Sequence, residues 1–203
     1  MKLLVVSAHS DDETFGCGGM IARHVDEGDK VDVSILSDSV TAQYSYADAI
    51  VERHEMAEKA MKILGVLRIF FHSFPDACLD TTGQLKINKA LEEDIKSSSP
   101  DVVLTHSNHE VHRDHAFVHD SSVVAARLIK RVMSYEVPLS TTNVFRPNYF
   151  VDITKTFHLK EQAAREYYTE EKFIERIRRT AEYRGMQTGV DKAEAFFIER
   201  WIV

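Results

Sequence analysis

Cysteine is scarce in this chain. Cys17 and Cys78 stand far apart and form neither a metal-spaced pair nor a disulfide framework. A reducing compartment is the expectation that follows. Proline is scarce too, at four residues, and no low-complexity tract appears, which argues against a disordered chain. No apolar run approaches the roughly 18 residues of a membrane-crossing helix. The apolar run at residues 3–8 is too short for a secretory signal core and leads straight into charge. The expected setting is therefore cytoplasmic, with no membrane partner. Blocks of basic residues are also missing, and the formal net charge is -7, which disfavours a nucleic-acid partner.

What is present is ordinary globular material: 203 residues, 44% hydrophobic and 28% charged, enough for one domain with a full core. Residues 3–8 read as a buried strand. A helix opened by Gly16, Gly18 and Gly19 runs to about residue 27 and ends at Gly28. Strands are expected at 31–36, 67–71, 101–105 and 132–136, with helices at 47–64, 85–97 and 114–132. Residues 37–46 are polar and loop-like. Strands alternating with helices of this length predict an α/β fold, Rossmann-like, with a mostly parallel sheet and helices on both faces. Residues 1–147 form that core in a single domain. Residues 148–203, with one more strand, two helices rich in Glu and Arg and an apolar tail ending in Trp201, read as its C-terminal elaboration.

In open α/β sheets, functional side chains collect beyond the carboxyl ends of the strands. Two such loops are chemically unusual. Ala8-His9-Ser10-Asp11-Asp12-Glu13 follows the first strand. His106-Ser107-Asn108-His109-Glu110-Val111-His112-Arg113-Asp114-His115 follows the strand at 101–105. Half of the ten histidines lie between residues 106 and 119, a clustering that packing does not explain. A catalytic zinc takes three protein ligands and keeps a position for water. His9 and Asp12, three apart in one tight loop, can face one point, and His115 can supply the third ligand. The same donors suit iron(II), cobalt or manganese. Asp11 is then the spare carboxylate, able to take a proton from the attacking water. His112 can meet an oxyanion or protonate a leaving amine. Asp114 reads as a partner that orients an imidazole. The glycines at 16, 18 and 19 lack a full nucleotide fingerprint and are read as sites of close helix–sheet approach. His106, His109 and His119 are expected at the surface or behind the ligands, and His24, His54, His72 and His158 as structural.

The two loops resemble the signatures of the PIG-L/LmbE-like family of metal-dependent deacetylases: a His-Pro-Asp-Asp-Glu stretch, here His9-Ser10-Asp11-Asp12-Glu13, and a His-x-Asp-His stretch, here His112-Arg113-Asp114-His115. The resemblance implies metal ligands at His9, Asp12 and His115, a base at Asp11 and oxyanion stabilisation by His112, in agreement with the chemistry above. It implies Zn2+, or Fe2+ or another divalent metal, and removal of an acetyl group from an N-acetylglucosamine-type sugar conjugate. Arg53-His54-Glu55 and Phe74-Pro75-Asp76 also have family counterparts, which implies that Arg53 and Asp76 contact sugar hydroxyls or a pendant acid. It further implies a homo-oligomer. Two departures stand out: Ser10 replaces the usual proline, and Tyr167 stands where a histidine is frequent. Three other readings compete: an amidase acting on a non-sugar amide, an iron(II) oxygenase built on His9-x-Asp11, and a nucleotide-binding module without chemistry.

Overall fold

The computed structural model describes residues 1–42, 47–138, 140–168 and 171–203. Its elements in chain order are β1 (Lys2–Ser7), α1 (Asp12–Asp26), β2 (Lys30–Ser37), α2 (Ala47–Leu64), β3 (Arg68–Phe74), α3 (Leu79–Thr82), α4 (Gln84–Ser98), β4 (Val102–His106), α5 (Arg113–Ala125), β5 (Arg131–Tyr135), β6 (Tyr149–Asp152), α6 (Phe157–Tyr167), α7 (Glu171–Thr188) and β7 (Ala193–Trp201). One sheet runs β3-β2-β1-β4-β5-β7-β6. The first five strands pair in parallel and β7 is antiparallel to both its neighbours. The expected α/β fold with helices on both faces is what the chain adopts. Of the polar loop at 37–46, residues 43–46 lie outside the described residues.

Strand β1 shows why. Leu3, Leu4, Val5 and Val6 are all fully buried. Alternate side chains of a strand point to opposite faces. Leu3 and Val5 therefore join the core under α1, α2, α6 and α7, whereas Leu4 and Val6 join the smaller core under α3, α4 and α5. A continuous apolar run is what a central parallel strand needs when both faces are covered. Each such side chain contributes about 1.5–3 kcal/mol by leaving water.

The glycines of α1 act in packing. A Cβ on Gly16 would lie 2.2 Å from the Tyr135 ring, and one on Gly19 would lie 2.8 Å from Ile153. They sit inside the helix rather than opening it, because α1 begins at Asp12.

Two boundaries differ from the sequence expectation. The helix expected at 114–132 stops at Ala125, because β5 must already be extended at Arg131 to pair with Val102. Arg200 donates to the carbonyls of Ala126, Arg127 and Ile129, so the chain leaving the helix end has cationic donors in place of further helical turns. The apolar tail is strand β7, inserted between β5 and β6, so residues 148–203 complete the core sheet rather than decorate it. Among the described residues no helix is long and apolar enough to cross a membrane.

His119 ties α5 to β7. Its Nε2 lies 3.2 Å from Glu199, its Nδ1 lies 3.0 Å from Asp120, and Ser134 Oγ donates to the same Glu199 oxygen at 2.8 Å. Burial opposes the imidazolium, but the two carboxylates outweigh it and raise the His119 pKa above the ordinary 6.5. Burial likewise opposes the Glu199 carboxylate, but His119 and Ser134 lower its pKa below 4.5.

Two outcomes are expected. Gly16→Ala should cost about 1–3 kcal/mol in denaturant unfolding, since the fully buried Tyr135 ring has nowhere to move; an unchanged midpoint would contradict the packing. The His119 contribution is fully present below pH 6.5 and fades as pH rises through the raised value, while that of Glu199 is present above pH 4.5 and fades as pH falls through the lowered one. His119→Gln should therefore destabilise most between these values, by on the order of 1–2 kcal/mol, and least in alkaline solution. Unfolding curves across pH check this, and an equal cost at all pH values would refute it.

Candidate metal centre and catalytic site

The order β3-β2-β1-β4-β5 reverses direction between β1 and β4. That is the switch point where an open α/β sheet leaves a crevice beyond its carboxyl ends. The loop after β1 leads into α1 at Asp12, and the loop after β4 leads into α5 with His112 as its N-cap. Two helix N-termini thus converge on one crevice, and their dipoles favour negative charge there.

Three donor atoms meet in it. His9 Nδ1 is 3.2 Å from Asp12 Oδ2 and 3.2 Å from His115 Nε2, and Asp12 Oδ2 is 3.3 Å from His115 Nε2. Tetrahedral bonds of about 2.0–2.1 Å would set donors about 3.3–3.4 Å apart, so this triangle fits a zinc-sized ion. The outer atoms of both imidazoles are held. His9 Nε2 faces Asp76 Oδ1 at 3.0 Å and Asp114 Oδ2 at 3.3 Å. His115 Nδ1 faces Glu110 Oε2 and Ser140 Oγ, each at 3.2 Å. Carboxylates at the far nitrogens fix the protons there and leave the inner lone pairs for the ion. Glu110 is itself held by Thr141 Oγ1 at 2.5 Å.

Two other histidines approach the triangle with their nitrogens differently engaged. His112 Nδ1 accepts from the Asp114 amide at 3.3 Å, so its proton sits on Nε2. His106 Nε2 accepts from the Ala8 amide at 2.9 Å. His106, expected at the surface or behind the ligands, is wholly buried and stacks on His115 with ring centroids 4.1 Å apart.

Asp11 stands next to the triangle in a strained backbone, φ 131°. A non-glycine residue there costs on the order of 1–3 kcal/mol and must be held by its surroundings. Its amide donates to Glu13 Oε2 at 3.1 Å, and Arg53 Nη2 donates to the carbonyl of Ser10 at 2.6 Å. Glu13 is buried and receives the Tyr167 and Thr14 hydroxyls, each at 2.9 Å. Asp11 Oδ2 accepts from Arg53 at 2.7 Å and from Tyr168 at 2.9 Å. Its Oδ1 has no hydrogen-bond partner among the described residues.

The charges follow from this crowding. Burial opposes a proton on His9, yet Asp114, Asp12 and Asp76 outweigh it and hold its pKa well above 6.5. Burial is likewise outweighed at His115, where Asp12 and Glu110 raise the pKa to about 9. Asp12 stays ionised well below the usual carboxylate range, because the charge on His115 overcomes its burial. The same field that draws protons onto the two histidines draws a cation, so metal binding here releases protons. Burial raises Asp11, with Arg53 opposing, and pushes Glu13 up to about 7. Burial lowers His106 to about 4. Burial and the charges on His9 and His115 lower His112, which is therefore neutral near pH 7.

The structure thus brings His9, Asp12 and His115 together, with Asp11 and His112 beside them. Arg53 and Asp76 lie in the same cluster, but their contacts are to Asp11 and His9. Glu110, Tyr168 and Glu13 take part without a role assigned from sequence, and His106 stands behind His115, one of the two places expected for it.

Two histidines and a carboxylate converging on one point, with a spare carboxylate alongside, form a donor set suited to a divalent metal ion and to metal-dependent hydrolysis. The sequence pattern of the PIG-L family, described as GlcNAc-PI de-N-acetylase, matches residues 4–126. The chain belongs to this family. It is 32% identical over 170 residues to the uncharacterized deacetylase YaiS of Escherichia coli K12, covering 80% of this chain and 87% of that protein. It is 28% identical over 218 residues to the diacetylchitobiose deacetylase of Thermococcus kodakarensis, covering 95% and 81%. A similar fold is seen in the crystal structure of GalB, the 4-carboxy-2-hydroxymuconate hydratase of Pseudomonas putida KT2440, with TM-score 0.89, 24% identity and coverage of 100% and 97%. The fold is thus shared with a hydratase, and the reaction has to be argued from the site.

Glu110→Gln keeps a hydrogen-bonding group at His115 but removes the charge. In metal-free protein the His115 pKa should fall from about 9 by roughly one unit, the remainder being held by Asp12. Histidine NMR titration measures this, and an unmoved pKa would dissociate Glu110 from His115.

Proposed function

We propose that the chain is a zinc-dependent N-deacetylase that removes the acetyl group from an N-acetylglucosamine-type sugar conjugate. One observation carries this: the triangle of His9 Nδ1, Asp12 Oδ2 and His115 Nε2, with a clamped carboxylate, Asp11, next to it. Membership of a de-N-acetylase family and the likeness to a diacetylchitobiose deacetylase support the amino-sugar substrate. Fe2+ or another divalent ion suits the same donors.

The bound ion supplies Lewis acidity, lowering the water pKa toward about 7 and polarising the amide carbonyl. The remaining work belongs to the chain. Asp11 Oδ1 takes the proton of the attacking water. Arg53 and Tyr168 fix the other oxygen, so Asp11 can present only one face. Its pKa, raised by burial, suits it to hold that proton and pass it to the departing amine. Neutral His112, with Nδ1 engaged, offers Nε2–H to the oxyanion of the tetrahedral intermediate. The N-terminus of α5 favours that negative charge and disfavours an imidazolium. The products are acetate and the free amine. Asp76, beside His9, also suits a sugar hydroxyl, whereas Arg53 serves the substrate through Asp11.

The competing readings have less support. His9-x-Asp11 is the spacing of an iron(II) oxygenase motif, but the converging carboxylate is Asp12. The glycines that would form a nucleotide loop lie inside α1 and pack closely against Tyr135, Lys160 and Ile153.

The test combines metal content with acetate release from N-acetylglucosamine conjugates. Wild type should hold one ion per chain, lose it in Asp12→Ala, and release acetate in a chelator-sensitive manner. Asp11→Asn should retain the ion and lose about 10²–10⁴-fold in kcat. Metal-free wild type, or metal retained by Asp12→Ala, would sink the reading.

A further inference from the structure

The two ligand loops leave separate strands, and the β1–β4 ladder reaches only to the pair Val5–Leu104. Beyond that rung side chains carry the connection: Asp114 reaches His9 at the tips of the loops, and His106 acts nearer the strands. His106, the last residue of β4, accepts the Ala8 amide on its Nε2 at 2.9 Å, one residue before His9. The Tyr135 hydroxyl, which donates to the Val6 carbonyl at 2.8 Å, stands 3.4 Å from the same nitrogen. On the other side, the His106 ring stacks on His115 with 26° between the planes. Its Nε2 lies 3.4 Å from Asp12 Oδ2. A single fully buried ring therefore touches the chain entering the first loop and two of the three donors.

From its distances alone His106 could be taken for a ligand, since it groups with Asp12 and His115 as a possible metal-holding set. The Ala8 amide excludes this. An imidazole nitrogen has one lone pair, and that of Nε2 is already engaged by an N–H. The proton must then sit on Nδ1, which is buried and has no hydrogen-bond partner among the described residues. Nδ1 gains nothing from its surroundings, so Nε2 and the ring faces are what this histidine offers.

We infer that His106 is a positioning residue: it sets the spacing of the His9–Asp12 loop against His115 by accepting the Ala8 amide and backing the His115 ring. The inference rests on the metal reading proposed above. It predicts that the acceptor at the Nε2 position matters, and the ring alone does not suffice. Phenylalanine keeps a flat ring against His115 but leaves the Ala8 amide buried and unpaired. Glutamine can return an oxygen to the same place.

The experiment measures zinc affinity by chelator competition and the visible spectrum of the cobalt-substituted protein, with metal-free circular dichroism as the fold control. His106→Phe should bind zinc about 10–100-fold more weakly and show an altered cobalt spectrum. His106→Gln should recover most of the affinity. Wild-type affinity and spectrum in His106→Phe would overturn the inference, as would a glutamine variant as weak as phenylalanine. In unmutated protein, NMR should show a 15N–15N coupling across the Ala8 amide and His106 Nε2, with the proton on Nδ1. Absence of that coupling would overturn it even if the variants do not fold. Wild type that binds neither zinc nor cobalt would instead defeat the metal reading itself.

Discussion

Parallel pairing of β1 with β4 is the constraint from which the site follows. These strands are far apart in sequence, yet their register brings the ends of both to one edge of the sheet. The chain leaves that edge in opposite directions, into α1 on one face and α5 on the other, which opens the crevice. Each loop supplies too little alone. His9 and Asp12 form only an edge of the triangle, and His115 completes it from the other strand. Any shift of β4 along β1 would separate the donors by more than an ion can bridge.

Charge is the second constraint, and it limits what the crevice can hold. Asp11, Asp12, Asp76, Asp114, Glu13 and Glu110 crowd around His9 and His115, with Arg53 as the nearby permanent cation. Buried carboxylates in such numbers require compensation. The structure supplies it through specific pairs: Arg53 to Asp11, His9 to Asp76 and Asp114, and His115 to Glu110. A divalent ion at the triangle fits this balance, because the outer carboxylates already orient the ligands and the inner atoms share a common focus. The same arrangement keeps His106 and His112 neutral: burial lowers the pKa of both, and the charge on His115, joined at His112 by that on His9, lowers them further.

The sequence exposes the parts of this site that are local. His9, Asp11 and Asp12 are adjacent, and His112 and His115 share one helix start, so spacing alone relates them to a common chemistry. The strand–helix alternation likewise reveals the parallel half of the sheet. What it does not expose is non-local. Glu110 meets Thr141, and His119 meets Glu199, across distances that no periodicity encodes. His106 resembles any buried histidine until the Ala8 amide is seen against it. Strand β7 mixes apolar with charged residues, and nothing in their order says it enters between β5 and β6. The end of α5 depends on Arg200, a residue of that same late strand. Arg53 and Asp76 were recognisable as a pattern, but their partners were not.

The strained backbone of Asp11 connects these constraints. A positive φ at aspartate opposes folding, and the surrounding contacts must offset it. Those contacts come from Glu13, Arg53, Tyr167 and Tyr168, which belong to α1, α2 and the end of α6. The conformation therefore forms only when three helices have packed on the same face of the sheet. Tyr167 acts in this support, and its hydroxyl reaches the buried Glu13. Asp11, the proposed base, is thus held by the larger core while His112 and His115 are held by α5 over the smaller one. Asp11 can stand against Asp12 without turning into the His9–Asp12–His115 triangle because its orientation is fixed from behind, by Arg53 and Tyr168 on a single oxygen, and that fixation leaves the other oxygen for the role proposed for it.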